Sequence, residues 1–102
     1  RRVVTRMLEG AGYRVRAVPA MLEAMEELER LPTDVLLSET VLPDGSGWRL
    51  VEQVRERWPK LPALLFTSAE AVSDVAGVRT LAKPFHHDRL LRTLADLLSP
   101  KP

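Results

Sequence analysis

Apolar positions along this chain repeat with two periods, one suited to helices and one to strands. Val3, Val4, Met7, Leu8 and Ala11 recur at helical spacing and predict a first helix, with Gly10 and Gly12 as its C-terminal stop. From Tyr13 to Val18 the period falls to two. Tyr13, Val15 and Ala17 alternate with Arg14 and Arg16, as in an edge strand with one wet face. Pro19 opens a second helix whose buried stripe is Met21, Leu22, Met25 and Leu28, with Glu23, Glu26, Glu27 and Arg30 toward water, and Pro32 closes it.

Asp34 to Ser38 is a short continuous apolar run, the kind found in central parallel strands covered on both faces. Leu42 to Gly47 is dense in turn formers, and Ser46 is placed to cap a helix that buries Trp48, Val51, Val54 and Trp58. Pro59 and Pro62 bracket the next break, and Ala63 to Phe66 is a second apolar strand. Ser68 to Gly77, small and weakly patterned, reads as loop with a turn of helix. Val78 to Ala82 is a last strand, and Leu90, Leu91, Leu94, Leu97 and Leu98 define an amphipathic final helix. The alternation of helices and strands with short connections predicts an α/β fold, an open parallel sheet with helices on both faces. One domain is expected over residues 1–98, with 99–102 as a tail or the start of a linker.

Composition narrows the functional classes. The chain has 102 residues, and its 15 Lys and Arg balance 14 Asp and Glu, so no net field draws in nucleic acid or an anionic membrane. Cysteine is absent, which excludes disulfides, thiolate catalysis and Cys-based zinc sites and fits the cytoplasm. No apolar run approaches the roughly 18 to 20 residues of a membrane span. The first residue is Arg1 rather than Met, so the chain is expected to be a fragment. His86 and His87 are adjacent, do not share a face and lack a spaced partner, so they read as a surface turn and not a metal site. Met21 and Met25 read as core, and Trp48 and Trp58 as packing residues on one helix. No glycine-rich phosphate loop follows a strand and no nucleophile with an adjacent base is visible, so an enzyme on a doubly wound fold is the weakest of the readings weighed.

In an open α/β sheet the ligand site lies outside the carboxyl ends of the strands. The residues just past those ends are Glu39, Thr67 and Lys83, a carboxylate, a hydroxyl and an ammonium. The hydroxyl and the ammonium can each hold a phosphoryl oxygen. Three segments here resemble the receiver domains of two-component signalling. Asp34 to Gly47 is similar to the strand and loop carrying the phosphoacceptor, Leu64 to Ser68 to the strand ending in the switch hydroxyl, and Leu81 to Phe85 to the lysine–proline motif. The resemblance implies a CheY-like (flavodoxin-like) sheet of order 2-1-3-4-5 and a cis bond before Pro84 that aims Lys83 at the site. It also implies phosphoryl-binding or switch positions at Thr67, Ser68, Thr80, Lys83 and Pro84.

Departures from the family pattern set the functional expectation. The acceptor position is Glu39 rather than Asp, and one extra methylene moves the carboxylate by roughly 1.5 Å, which misplaces it for in-line transfer. The family's first strand ends in an acidic pair that holds Mg²⁺, and no residue of this sequence precedes Arg1 to supply it. Glu39 with the Val41 carbonyl then offers too few oxygens, so Mg²⁺ is expected only where an acidic pair precedes Arg1. The absent strand would be central, so it is expected to come from residues before Arg1 or from another chain, the latter giving a homodimer. The aromatic switch position is Thr80. These features favour a degenerate, non-enzymatic receiver, an interaction module in which Glu39 pairs with Lys83 and mimics a charged acceptor. The alternative is a phosphorylatable, Mg²⁺-dependent receiver of a response regulator or hybrid histidine kinase. Partners implied by the family are a histidine kinase or phosphotransfer protein and a downstream output domain.

Overall fold

Apolar runs and caps in the sequence account for most of the elements. The computed structural model of the protein describes residues 2–68 and 73–99. In chain order these form α1 (Arg2–Gly10), α2 (Met21–Arg30), β1 (Leu36–Glu39), β2 (Val41–Leu42), β3 (Gly45–Ser46), α3 (Gly47–Arg57), β4 (Ala63–Thr67), β5 (Val78–Ala82) and α4 (His87–Leu98). Three strands make a parallel sheet in the order β1-β4-β5, and β2 pairs with β3 as a small antiparallel hairpin. The parallel ladder matches the 3-4-5 part of the expected order. β4 is central and buried at every residue, which is why Ala63 to Phe66 carries no polar side chain.

The core divides across the two faces of this sheet. On one face Leu64, Phe66 and Leu81 pack with Leu8 of α1 and with Leu90 and Leu94 of α4. On the other, Ala63, Leu65 and Val78 meet Val51 of α3, and a further cluster joins Met21 and Ala24 of α2 to Leu50 and Val54. Leu64, Leu65 and Leu90 have no exposed surface, and burying a side chain of that size contributes about 1.5–3 kcal/mol. No helix among the described residues is long and apolar enough to cross a membrane.

Capping fixes where helices start and stop. Gly12 adopts φ 99°, its N–H donates to the Glu9 carbonyl at 3.0 Å, and Tyr13 N–H donates to the Leu8 carbonyl at 3.0 Å. This closes α1 with a left-handed glycine, as the sequence predicts. Ser46 Oγ accepts from Arg49 N–H at 3.1 Å and starts α3.

Three expectations are corrected. Tyr13 to Val18 joins neither sheet. It pairs with none of the described strands, and Arg16, expected in water, reaches the end of α2. There Arg16 Nη1 donates to the Glu27 carbonyl at 3.2 Å and Nη2 to the Pro32 carbonyl at 3.1 Å, with a further bond to Thr33 Oγ1. β1, expected to be central, is an edge of the three-stranded sheet formed by the described residues. On the helices, Leu22 and Trp48, expected inside, are 65% and 41% exposed, and Ala24 and Leu50 take the buried positions instead. Periodicity gave the correct faces, but a residue at the margin of a stripe is buried only if a neighbour reaches it. Of the Ser68 to Gly77 segment, residues 69–72 lie outside the described ones and the remainder is irregular.

Candidate functional site

Parallel pairing brings the carboxyl ends of β1, β4 and β5 to one edge of the sheet. Glu39, last in β1, is in register with Phe66, and Thr67, last in β4, is in register with Ala82. Lys83 follows Ala82, and its N–H donates to the Thr67 carbonyl at 2.9 Å, so the β4–β5 ladder extends one bond beyond the last strand residue. This bond sets the Lys83 backbone beside Thr67. The Lys83–Pro84 peptide is cis, as the resemblance implies.

From there the Lys83 side chain crosses the end of β4, and Nζ forms an ion pair with Glu39 Oε1. Strands lie about 4.8 Å apart, so the two side chains together span roughly two strand spacings. Their side chains are 48% and 47% exposed, while Thr67 beneath them is only 7% exposed. The pair therefore sits at the water boundary. A half-exposed ion pair of this kind is weak and exchangeable.

Backbone packing holds Glu39 in place. Thr40 N–H donates to the Phe66 carbonyl at 3.2 Å, Gly47 N–H to the Thr40 carbonyl at 3.0 Å, and Ser38 Oγ to the Glu39 carbonyl at 2.8 Å. Gly47 approaches so closely that a Cβ there would lie 2.1 Å from the Glu39 carbonyl oxygen and 2.7 Å from Leu65 Cδ2. Only glycine fits, so the α3 start and the end of β1 fix one another.

Other predicted site residues are placed differently. Ser68 is exposed just past Thr67. Thr80 is in register with Leu65, two rungs short of the sheet edge, and is not brought to Glu39. Val41 is 82% exposed in the β2–β3 hairpin. Among the described residues no group of three His, Cys, Asp or Glu side chains is placed to hold a metal ion, His86 and His87 included. Glu39, whose carboxylate is engaged by Lys83, and the Val41 carbonyl do not by themselves supply the several oxygens a divalent cation needs.

Sequence reasoning missed Asp44. Its carboxylate accepts from Met21 N–H at 2.9 Å and Leu22 N–H at 3.2 Å, capping α2 from the hairpin that follows Glu39. The local N-cap residue of α2, Ala20, has no side chain able to do this. The Met21 N–H bond holds the Asp44 carboxyl below the usual aspartate value, against desolvation and with help from the Leu22 N–H. A Pro-Asp-Gly turn signals only a turn; the cap partner is too distant in sequence to read.

Comparison with known proteins follows the same lines. The family model described as "Response regulator receiver domain" matches residues 1–95. The chain is 32% identical over 104 residues to the response regulator receiver protein CpdR of Brucella abortus, covering 96% of this chain and 87% of CpdR. It is 30% identical over 103 residues to the DNA-binding transcriptional regulator NtrC of Escherichia coli, covering 95% of this chain but only 22% of NtrC. In structure it resembles the chemotaxis protein CheY4 of Vibrio cholerae at a TM-score of 0.86 and 28% identity, covering 95% of this chain and 88% of the other.

Proposed function

The chain belongs to the response regulator receiver domains of two-component signalling, and from that premise we propose that it is a degenerate receiver in which the Glu39–Lys83 ion pair replaces the phosphorylation cycle. Mg²⁺ binding at the phosphorylation site is typical of this family, as is pairing with histidine kinases and output domains, and the family is not one of enzymes in the usual sense. In such a domain the lysine is available to a phosphoryl oxygen. Here Lys83 already holds a carboxylate of the same chain, one methylene longer than the family's aspartate. Glu39 thus supplies a permanent negative charge where a phosphoryl group would supply a transient one, and the surface around it is presented in one state.

The single observation that supports this reading is the ion pair, and the site residues proposed are Glu39, Thr67, Ser68, Lys83 and Pro84, with Thr80 as a more distant switch position. The domain is read as residues 1–98, with 99–102 as a tail or the start of a linker. Its partner is a protein of the signalling pathway that docks at this edge, with no direct contact to nucleic acid.

A phosphodonor assay tests the proposal. Acetyl phosphate with Mg²⁺ is expected to leave the protein unlabelled and to label Glu39→Asp. Label on the unaltered protein that disappears in Glu39→Gln would overturn the proposal and establish the phosphorylatable reading instead.

A further inference from the structure

Helix α3 turns one side to the core and the other to water. Leu50 and Val54 join the cluster with Met21 and Ala24 of α2, and Val51 joins the sheet residues Ala63, Leu65 and Val78. On the outer side Trp48, Glu52 and Glu56 follow one another at i, i+4 and i+8, so they form a single row along the helix. All three are exposed, and Trp48 belongs to none of the three core clusters. A tryptophan left open on a helix face is the side-chain type most enriched where binding energy concentrates.

The two carboxylates beside it are not compensated by the helix that carries them. Glu52 and Glu56 stand one turn apart, a spacing at which like charges destabilise a helix. Neither forms an ion pair or a side-chain hydrogen bond among the described residues. The basic side chains at the end of α3 are drawn elsewhere. Arg55 Nη1 donates to the Leu61 carbonyl at 3.1 Å, and Arg57 pairs with Glu29 of α2 and lies over the Trp58 ring, 4.8 Å from its centroid. An exposed indole thus leads a row of two free carboxylates, and this row is complementary to apolar and positive groups in the same order.

We propose that the outer face of α3 is a docking surface for a cationic amphipathic helix of another protein. Its apolar side chain rests on Trp48, and its lysine or arginine side chains, one and two turns away, meet Glu52 and Glu56. A helix fits because its own rows repeat at the same interval, roughly 6 Å for four residues. The sign of the charge disfavours an anionic membrane or a nucleic acid on this face. The proposal stands on α3 and not on the Glu39–Lys83 pair, so the phosphodonor assay and the experiment below fail or hold separately.

The probe is a blocked, alanine-based peptide of seventeen residues with leucine at its centre and arginine four and eight residues to either side, a pattern that is the same in both directions. It is titrated into the protein with the Trp48 indole N–H followed by NMR. Saturable binding that shifts this resonance is expected, with a dissociation constant below about 1 mM. Raising NaCl from about 50 to about 300 mM should weaken it at least about threefold. Trp48→Ala should weaken it at least about tenfold, and so should Glu52→Gln combined with Glu56→Gln. The double glutamine variant should unfold at no lower urea concentration than the parent, because a repulsive pair has been removed. A merely structural role for the two acids would lower that midpoint and leave binding unchanged, which would overturn the proposal. It would equally be overturned by no saturation up to about 1 mM, by binding that leaves the Trp48 indole unmoved, or by equal affinity for the peptide with glutamate in place of arginine.

Discussion

Replacing Gly47 with alanine sets two effects of known sign against each other. Alanine is the better helix former, and at an ordinary interior position the change would stabilise α3 by up to about 1 kcal/mol, less in the first turn where Gly47 sits. Against this, the new Cβ would be placed 2.1 Å from the Glu39 carbonyl oxygen, 2.7 Å from Leu65 Cδ2 and 3.0 Å from Ser38 Oγ. The first of these is backbone at the end of β1 and cannot rotate away, while Leu65 is fully buried. Overpacking of this kind costs about 1–3 kcal/mol. Displacing the Glu39 carbonyl also strains the Ser38 Oγ bond at 2.8 Å, a bond of a kind worth about 1 kcal/mol. The steric side wins, for a net loss of about 2–3 kcal/mol. At about 4–8 °C per kcal/mol for a domain of this size, the thermal midpoint should fall by about 10–20 °C. Urea unfolding should show a lower midpoint at unchanged slope, since the surface exposed on unfolding is the same. A Gly47→Ala protein as stable as the parent would mean that β1 and α3 are not in contact at this point, and the account of how Glu39 is held would be wrong.

Two further outcomes follow from the same site and its neighbour. In a double-mutant cycle of Glu39→Gln and Lys83→Met, read by urea unfolding, the coupling should be about 0.2–1 kcal/mol, since both side chains are half exposed; a coupling above about 2 kcal/mol would contradict an exchangeable pair. Asp44 has its carboxyl lowered in the folded state, so its stabilising contribution is complete above the ordinary value of 3.8 and is lost as pH falls through the folded value. Asp44→Ala should therefore be less stable than the parent at pH 7, with the gap narrowing in acid below about pH 3.8; a gap that stays constant or widens in acid would show that the carboxylate does not cap α2.

How much of this could be read in the sequence depended on whether a residue's partner was local. Ala63 to Phe66 announced a buried strand because no polar side chain interrupts it, and Ser46 announced a helix start because its partner is three residues away. Tyr13 to Val18 has the alternation of a strand, yet a strand needs a neighbour, and pairing is a property of two segments that one cannot declare. Glu39, Thr67 and Lys83 were legible as strand-end residues because parallel topology gathers strand ends wherever the connecting helices lead. Asp44 and Arg16 were not, since each binds a helix terminus more than ten residues away, and a turn aspartate or an alternating arginine has the same local appearance with or without such a partner.

Phe85, two residues beyond Lys83, stacks on Phe66 with ring centroids 5.4 Å apart and planes inclined by 18°. Phe66 is the residue in register with Glu39. One aromatic pair thus connects the segment carrying the ammonium to the rung carrying the carboxylate. Stacked rings shield each other's protons, and the shielding falls steeply when one ring slides across the other. The ring resonances of Phe85 consequently report any shift of the segment that carries Lys83 against the rung that carries Glu39, so a partner that moves this segment can be followed without a label on either charged group.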